Sequence, residues 1–129
     1  MYPQILASDA NWTHSSSAIS GGFLVLDQND SAQQTITSFV DNRQYKATFR
    51  ITGSTVTLKI GTSSGGTQIK DEDFTISNTG EGEVHTTTFG ATASTLYITL
   101  ENGTSTQANV DFINITEDTS PQRLQHITY

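Results

Sequence analysis

Cysteine is absent from this 129-residue chain. Neither a disulfide nor a thiolate metal site can therefore form. Charged residues make up only 15% of the sequence and hydrophobic residues 33%, both low for a globular protein. The longest apolar run, Phe23 to Leu26, is far shorter than the roughly 20 residues of a transmembrane helix. We therefore expect no membrane as a partner.

Positive charge is also scarce. Six lysines and arginines stand against 13 acidic residues, which gives a formal net charge of −7. An acidic surface repels phosphate backbones and anionic lipid surfaces. We therefore expect no nucleic acid among the partners.

Residue sets that could support catalysis are missing as well. The histidines, His14, His85 and His126, do not have the spacing of metal ligands. The acidic runs Asp71–Asp73 and Glu81–Glu83 fall where adjacent strand residues would point to opposite faces, so their carboxylates would not converge. A calcium loop is an alternative for the first run, but its spacing is not that of an EF-hand. We expect no enzymatic activity.

Period-two alternation of apolar and polar residues is the strongest pattern that is present. It runs through residues 44–51, is interrupted by Thr52-Gly53-Ser54, resumes from residue 55 towards Gly61, and predicts two strands that are each buried on one face. The short break around Gly53 predicts that the two strands form a hairpin. The apolar positions are Tyr45, Ala47, Phe49, Ile51, Val56, Leu58 and Ile60.

Similar alternation recurs along the chain, with turn residues between the segments. No segment has the 3.6-residue apolar period of a helix. About nine strands at this spacing predict an all-β fold, an antiparallel β-sandwich of the jelly-roll type. Predicted strands cover 23–26, 31–40, 83–89, 95–101 and 108–117, two short strands separated by a bend fall in 67–76, and Phe112-Ile113 indicates a bulge.

The pattern divides the chain into an N-terminal arm over residues 1–8, a sandwich domain over 9–117 and a C-terminal tail over 118–129. Apolar side chains in the arm and the tail are costly to leave in water, so we interpret them as candidate subunit contacts. The alternative for the arm is a frayed terminus. The candidate contact residues are Tyr2, Ile5, Leu6, Leu124, Ile127 and Tyr129.

Two aromatic residues are candidates for stacking on sugar rings. Trp12 is the single tryptophan, and Tyr97 falls on the strand face opposite Leu96 and Ile98. The alternative for Trp12 is a position at the edge of the core, since large aromatic side chains are mostly buried.

Several motifs between Ser8 and Glu117 resemble those of carbohydrate-binding-module-type (galactose-binding-like) jelly rolls, of the cellulose- and xylan-binding sort. The start of such domains is similar to the succession Asp9-Ala-Asn-Trp12, Ile19-Ser-Gly-Gly22 and Gln33-Gln-Thr-Ile36, and their Tyr-x-Val-x-Phe strand is similar to Tyr45-Lys-Ala-Thr-Phe49. The segment Ala108-Asn-Val-Asp-Phe-Ile-Asn-Ile-Thr-Glu117 resembles their closing Ile-Asp-x-Val-x-Val strand. This resemblance implies that Asp111 is a ligand of a structural calcium ion, and it implies no other cofactor.

Two functions follow from the resemblance, which extends to single-domain proteins of tailed-phage virions. The first is a non-enzymatic capsid decoration (cement) protein located in the virion. It would bind a major capsid protein or another virion protein and form a homo-oligomer, preferably a trimer. The alternative is a carbohydrate-binding module of a virion fibre or adhesin, with a glycan as its ligand.

Overall fold

The computed structural model describes residues 12–14, 18–20, 23–76, 82–104 and 106–118. Within these ranges all regular structure is β, and no helix is long and apolar enough to cross a membrane. The strands are β1 (Thr13–His14), β2 (Ala18–Ser20), β3 (Phe23–Leu26), β4 (Ser31–Ile36), β5 (Gln44–Thr52), β6 (Val56–Gly61), β7 (Lys70–Phe74), β8 (Glu83–Gly90), β9 (Leu96–Glu101) and β10 (Ala108–Glu117).

These strands form two five-stranded sheets that pack face to face. Sheet A has the order β1-β4-β9-β6-β7 and sheet B the order β2-β3-β10-β5-β8. Every pairing is antiparallel. The chain changes sheet at each step from β3 to β6 and again from β7 to β10. The predicted antiparallel jelly-roll sandwich is therefore confirmed.

The core lies between the sheets and contains a cluster of aromatic side chains around Tyr45. The ring of Tyr45 meets Phe39 edge-on at 4.8 Å between centroids and stacks on Phe89 at 5.8 Å. Its hydroxyl accepts a 2.8 Å hydrogen bond from the backbone N–H of Val40, so the buried polar end is satisfied. Burial of each such side chain contributes about 1.5–3 kcal/mol to folding.

The predicted hairpin between β5 and β6 is wrong, although both strands are present. Strand β5 pairs with β8 and β10 in sheet B, whereas β6 pairs with β7 and β9 in sheet A. Residues 53–55 therefore cross from one sheet to the other, and the two apolar faces oppose each other across the core. The alternation of apolar and polar residues shows which face of a strand is buried, but it does not show which other strand pairs with it in the sheet.

Three other predictions need correction. Strand β4 ends at Ile36 rather than at residue 40, although Phe39 is buried beyond it. The segment predicted as two short strands contains one, β7. Residues Thr13–His14 form β1, which is not among the predicted strands.

The predicted bulge in β10 is confirmed, with the register shift between Val110 and Phe112. The apolar residues proposed as subunit contacts in the arm and the tail lie outside the described residues. Their role and the domain boundaries remain predictions.

Asn102 organises the turn between β9 and β10. Its side chain is completely buried. The Nδ2 group donates to the carbonyl oxygens of Leu26, Asp27 and Thr106 at 2.9, 3.2 and 2.8 Å, while Oδ1 accepts from the backbone N–H of Thr104 at 2.9 Å. One amide therefore joins the end of β3 to the loop that leads into β10.

We expect Asn102→Ala to lower the free energy of unfolding by about 2–4 kcal/mol, because several buried backbone groups lose their partner at once. Urea titration at an unchanged m-value measures the loss. Gln107→Ala is the control, because its exposed amide makes a 2.7 Å bond to Asp27 Oδ1 and should cost less than about 1 kcal/mol. Equal losses in the two variants would contradict the role of Asn102.

Candidate functional site

A groove of about 280 Å³ lies on the outer face of sheet A, the face that points away from the core. Strands β1, β4, β6 and β9 form its floor, and the β6–β7 loop (residues 62–69) forms one wall. Its lining consists of hydroxyl, amide and oppositely charged side chains. The lining residues are Thr13, Ser31, Gln33, Lys59, Ser64, Gly65, Thr99 and Glu101.

Strand register explains why these side chains meet. Thr99 of β9 lies opposite Gln33 of β4 on one side and opposite Lys59 of β6 on the other. Directly opposed residues point to the same face of a sheet. Since the neighbours of Thr99 in β9 are buried in the core, all three side chains point outward.

Lys59 and Glu101 form the charged part of the groove. Lys59 Nζ lies 2.9 Å from Glu101 Oε1, and the two side chains are 23% and 37% exposed. Partial exposure limits the contribution of this pair to stability to about 1 kcal/mol or less. The pair places a cationic donor and an anionic acceptor side by side, so the groove carries no surplus charge from these residues.

The β6–β7 loop is held over the sheet by Gln33. Gln33 Oε1 accepts hydrogen bonds from Gly65 N at 2.7 Å, from Ser64 Oγ at 3.3 Å and from Thr99 Oγ1 at 3.2 Å. At the base of the loop, a Cβ on Gly61 would overlap the backbone of Gly66 and the side chain of Gln68. A glycine is therefore required there for the loop to pack closely against β6.

Tyr97 lies on the outer face of sheet A, as the sequence predicts. In the sheet, Tyr97 lies opposite Thr35 of β4 and Gly61 of β6. Its side chain is partly buried, whereas the side chains of Leu96 and Ile98 on either side point into the core. Thr99, the next outward residue of β9, lines the groove. Tyr97 is therefore a neighbour of the groove on the same face.

Trp12 does not fit the prediction of a stacking platform. Its side chain is only 3% exposed and packs in the core between the sheets. A ring buried to this extent presents no face to a sugar. The alternative interpretation, a large aromatic residue that closes the core, fits its position.

Asp111 lies at the bulge of β10 on sheet B, whereas the strands of the groove belong to sheet A. Its Oδ2 is 3.6 Å from Arg50 Nη1, and both side chains are about 40% exposed, at 38% and 40%. In the ranges that the structure covers, no group of three or more histidine or acidic side chains could hold a metal ion. Among the described residues, the charged contact of Asp111 is therefore a guanidinium group, and a calcium ion bound by Asp111 stays a prediction from the resemblance.

Sequence reasoning missed Gln33, Lys59 and Glu101 as site residues. The available signal was their alternation with buried residues, which places them on the outer face. The sequence pattern does not reveal that β4, β9 and β6 are adjacent, and only this adjacency brings the three side chains together.

No family model matches the chain, and no curated protein matches it either. Solved structures of carbohydrate-binding modules (CBMs), however, share its fold. The CBM1 module of BiXyn10A in its apo form has a TM-score of 0.71 at 15% identity, and the match covers 90% of this chain and 97% of that one.

Two further carbohydrate-binding modules have a similar fold. The CBM36-1 domain of a multidomain xylanase from the hindgut metagenome of Trinervitermes trinervoides has a TM-score of 0.66 at 19% identity over 91% of this chain and 98% of that domain. A CBM36 in complex with calcium and xylotriose has a TM-score of 0.58 at 20% identity over 88% and 99%. The chain therefore has the jelly-roll fold of carbohydrate-binding modules, and these identities support a statement about the fold alone.

We expect Asp111→Asn to lower the free energy of unfolding by less than about 1 kcal/mol, because a mostly solvated ion pair is the contact it removes. The loss should be the same with calcium or with a chelator, as measured by thermal unfolding of both proteins in each buffer. A wild-type melting temperature that rises with calcium, together with loss of that rise in Asp111→Asn, would restore Asp111 as a calcium ligand.

Proposed function

We propose that this protein is a non-enzymatic carbohydrate-binding module that binds a neutral glycan in the groove on the outer face of sheet A. The observation that carries the proposal is the groove itself. On a fold shared with carbohydrate-binding modules, its lining offers hydrogen-bond donors and acceptors without a catalytic pair of carboxylates.

The chemistry of the lining favours a ligand rich in hydroxyl groups. A sugar hydroxyl both donates and accepts, so it can bond to the Glu101 carboxylate and to the Lys59 ammonium group at once. Bonds to charged partners contribute about 1.5–3 kcal/mol each, more than bonds between neutral groups. Ser31 adds a further hydroxyl at the position directly opposite Glu101.

Charge argues for a neutral glycan rather than an acidic one. Glu101 offsets Lys59 within the groove, and the whole chain carries a net charge of −7. Long-range repulsion would therefore oppose the binding of a uronic acid or a sulfated polymer. Lys59, the cationic residue in the lining, is already paired with Glu101 and does not offset this repulsion. Xylotriose, the ligand of the similar CBM36, belongs to the neutral class.

Tyr97 supplies an apolar surface beside these polar groups. Its position on β9 next to Thr99 puts an aromatic side chain on the face that contains the groove. A sugar ring has an apolar face formed by its C–H groups, and aromatic rings stack on such surfaces. This role agrees with the prediction of Tyr97 as a stacking residue.

The capsid decoration role has no comparable support. Its contact residues lie in the arm and the tail, outside the described residues, and none of the similar structures described above is a capsid protein. A virion location, a capsid partner and a trimer therefore remain predictions.

We expect Glu101→Gln to weaken glycan binding by about tenfold to about 100-fold, since it replaces a charged acceptor while the shape of the side chain is kept. A glycan array identifies the ligand first, and isothermal titration with xylo- and cello-oligosaccharides then measures the affinity of the wild type and the variant.

The control for this variant is Glu117→Gln. Glu117 forms an equally short ion pair, 2.9 Å to Arg43 Nη1, at the end of sheet B. Its replacement should leave the affinity unchanged. If the wild type binds no glycan on the array, or if both variants lose affinity equally, the proposed site is wrong.

We expect Tyr97→Ala to lower the affinity by about threefold to about tenfold, while Tyr97→Phe keeps it, because stacking needs the ring and not the hydroxyl. The same titration measures both. An unchanged affinity in Tyr97→Ala would remove this residue from the site without affecting the rest of it.

A further inference from the structure

The orientation of the Gln33 side-chain amide is determined by its contacts in the groove. The atom 2.7 Å from the backbone N–H of Gly65 must be an acceptor, since a backbone N–H only donates. That atom is therefore Oε1, and Nε2 occupies the other branch of the amide. The hydroxyl groups of Ser64 and Thr99 lie at 3.3 and 3.2 Å from the same oxygen.

The two ends of this amide consequently have different roles. An amide oxygen has two lone pairs, and here three protein donors share them, so Oε1 has no capacity left for a ligand. No hydrogen bond joins Nε2 to any residue in the described part of the chain. Its two N–H groups remain as donors on a residue that lines the groove.

Gln33 also provides the link between the β6–β7 loop and β4. Other hydrogen bonds of the loop are local: Gly66 N donates to Ser63 O at 2.9 Å within the loop, and Ile69 N donates to Ile60 O at 3.0 Å on the strand from which the loop starts. The bond from Gly65 to Gln33 instead reaches across the groove to a different strand. Without this bond, the loop that forms the wall of the groove would keep only the hydrogen bonds within itself and to β6.

We propose that Gln33 performs two separable tasks through the two ends of one amide. Oε1 anchors the β6–β7 loop as the wall of the groove, and Nε2 donates to a hydroxyl or ring oxygen of the bound sugar. The second task depends on the proposed glycan binding, whereas the first does not. Together with the acceptor Glu101, Nε2 makes the groove selective for ligands that offer both an acceptor and a donor.

Two substitutions separate the tasks. Gln33→Glu keeps an oxygen that can accept from Gly65, Ser64 and Thr99, but it replaces the donor by a second acceptor. Gln33→Met has a similar length and neither accepts nor donates strongly. Order parameters of the Gly65 amide from ¹⁵N relaxation report on the loop, and titration with xylo- and cello-oligosaccharides reports on the donor.

We expect Gln33→Glu to keep the Gly65 order parameter near the wild-type value of about 0.85, whereas Gln33→Met lowers it to below about 0.6. Both variants should lose at least about tenfold in glycan affinity, because both lack the Nε2 donor. The combination of an ordered loop with weak binding in Gln33→Glu is the result that a purely structural role for Gln33 would not produce.

Gln44→Glu and Gln44→Met serve as matched controls, since Gln44 begins β5 in sheet B and is not among the groove residues. Neither substitution of Gln44 should change the order parameter of the Gly65 amide or the glycan affinity. An ordered Gly65 in Gln33→Met would overturn the anchoring task, and full affinity in Gln33→Glu would overturn the donor task. A wild type that binds no glycan would overturn the proposed function and the donor task, while the Gly65 data would still decide the anchoring task.

Discussion

Packing of one apolar face against another across the middle of the sandwich is the interaction on which the rest of this structure depends. Strands β5 and β6 each carry a single buried face, and a single sheet cannot cover it. Residues 53–55 carry the chain from sheet B to sheet A, so that the inward side chains of β5 and β6 oppose each other. The hydrophobic effect thus determines which faces are buried and leaves the outer faces available for binding.

The groove is a consequence of this arrangement. Once Leu96, Ile98 and Leu100 point inward, Thr99 and Glu101 of the same strand must point outward, beside the outward residues of β4 and β6. Lys59 and Glu101 on this face contribute little to folding, because they are partly solvated and their ion pair is weak. Their chemistry can therefore change from one protein to another while the sandwich stays the same.

Structural neighbours illustrate this separation of fold and site. They share the jelly roll with this chain at 20% identity or less, which shows that very different residues satisfy the same packing constraint. A shared fold does not by itself determine a ligand. For this reason the proposed glycan binding depends on particular groups: the Lys59–Glu101 pair, the Gln33 amide and the ring of Tyr97.

Alternation in the sequence was sufficient to determine the all-β class, the existence of β5 and β6, the bounds of β10 and the outward position of Tyr97, because each of these depends on neighbouring residues in the chain. Strand pairing was decided only by the tertiary structure. The predicted hairpin failed because two strands with the same period can lie side by side or face to face. The groove could not be predicted for the same reason: Gln33, Lys59 and Glu101 are far apart in the sequence, and only the strand order of sheet A places them on one surface.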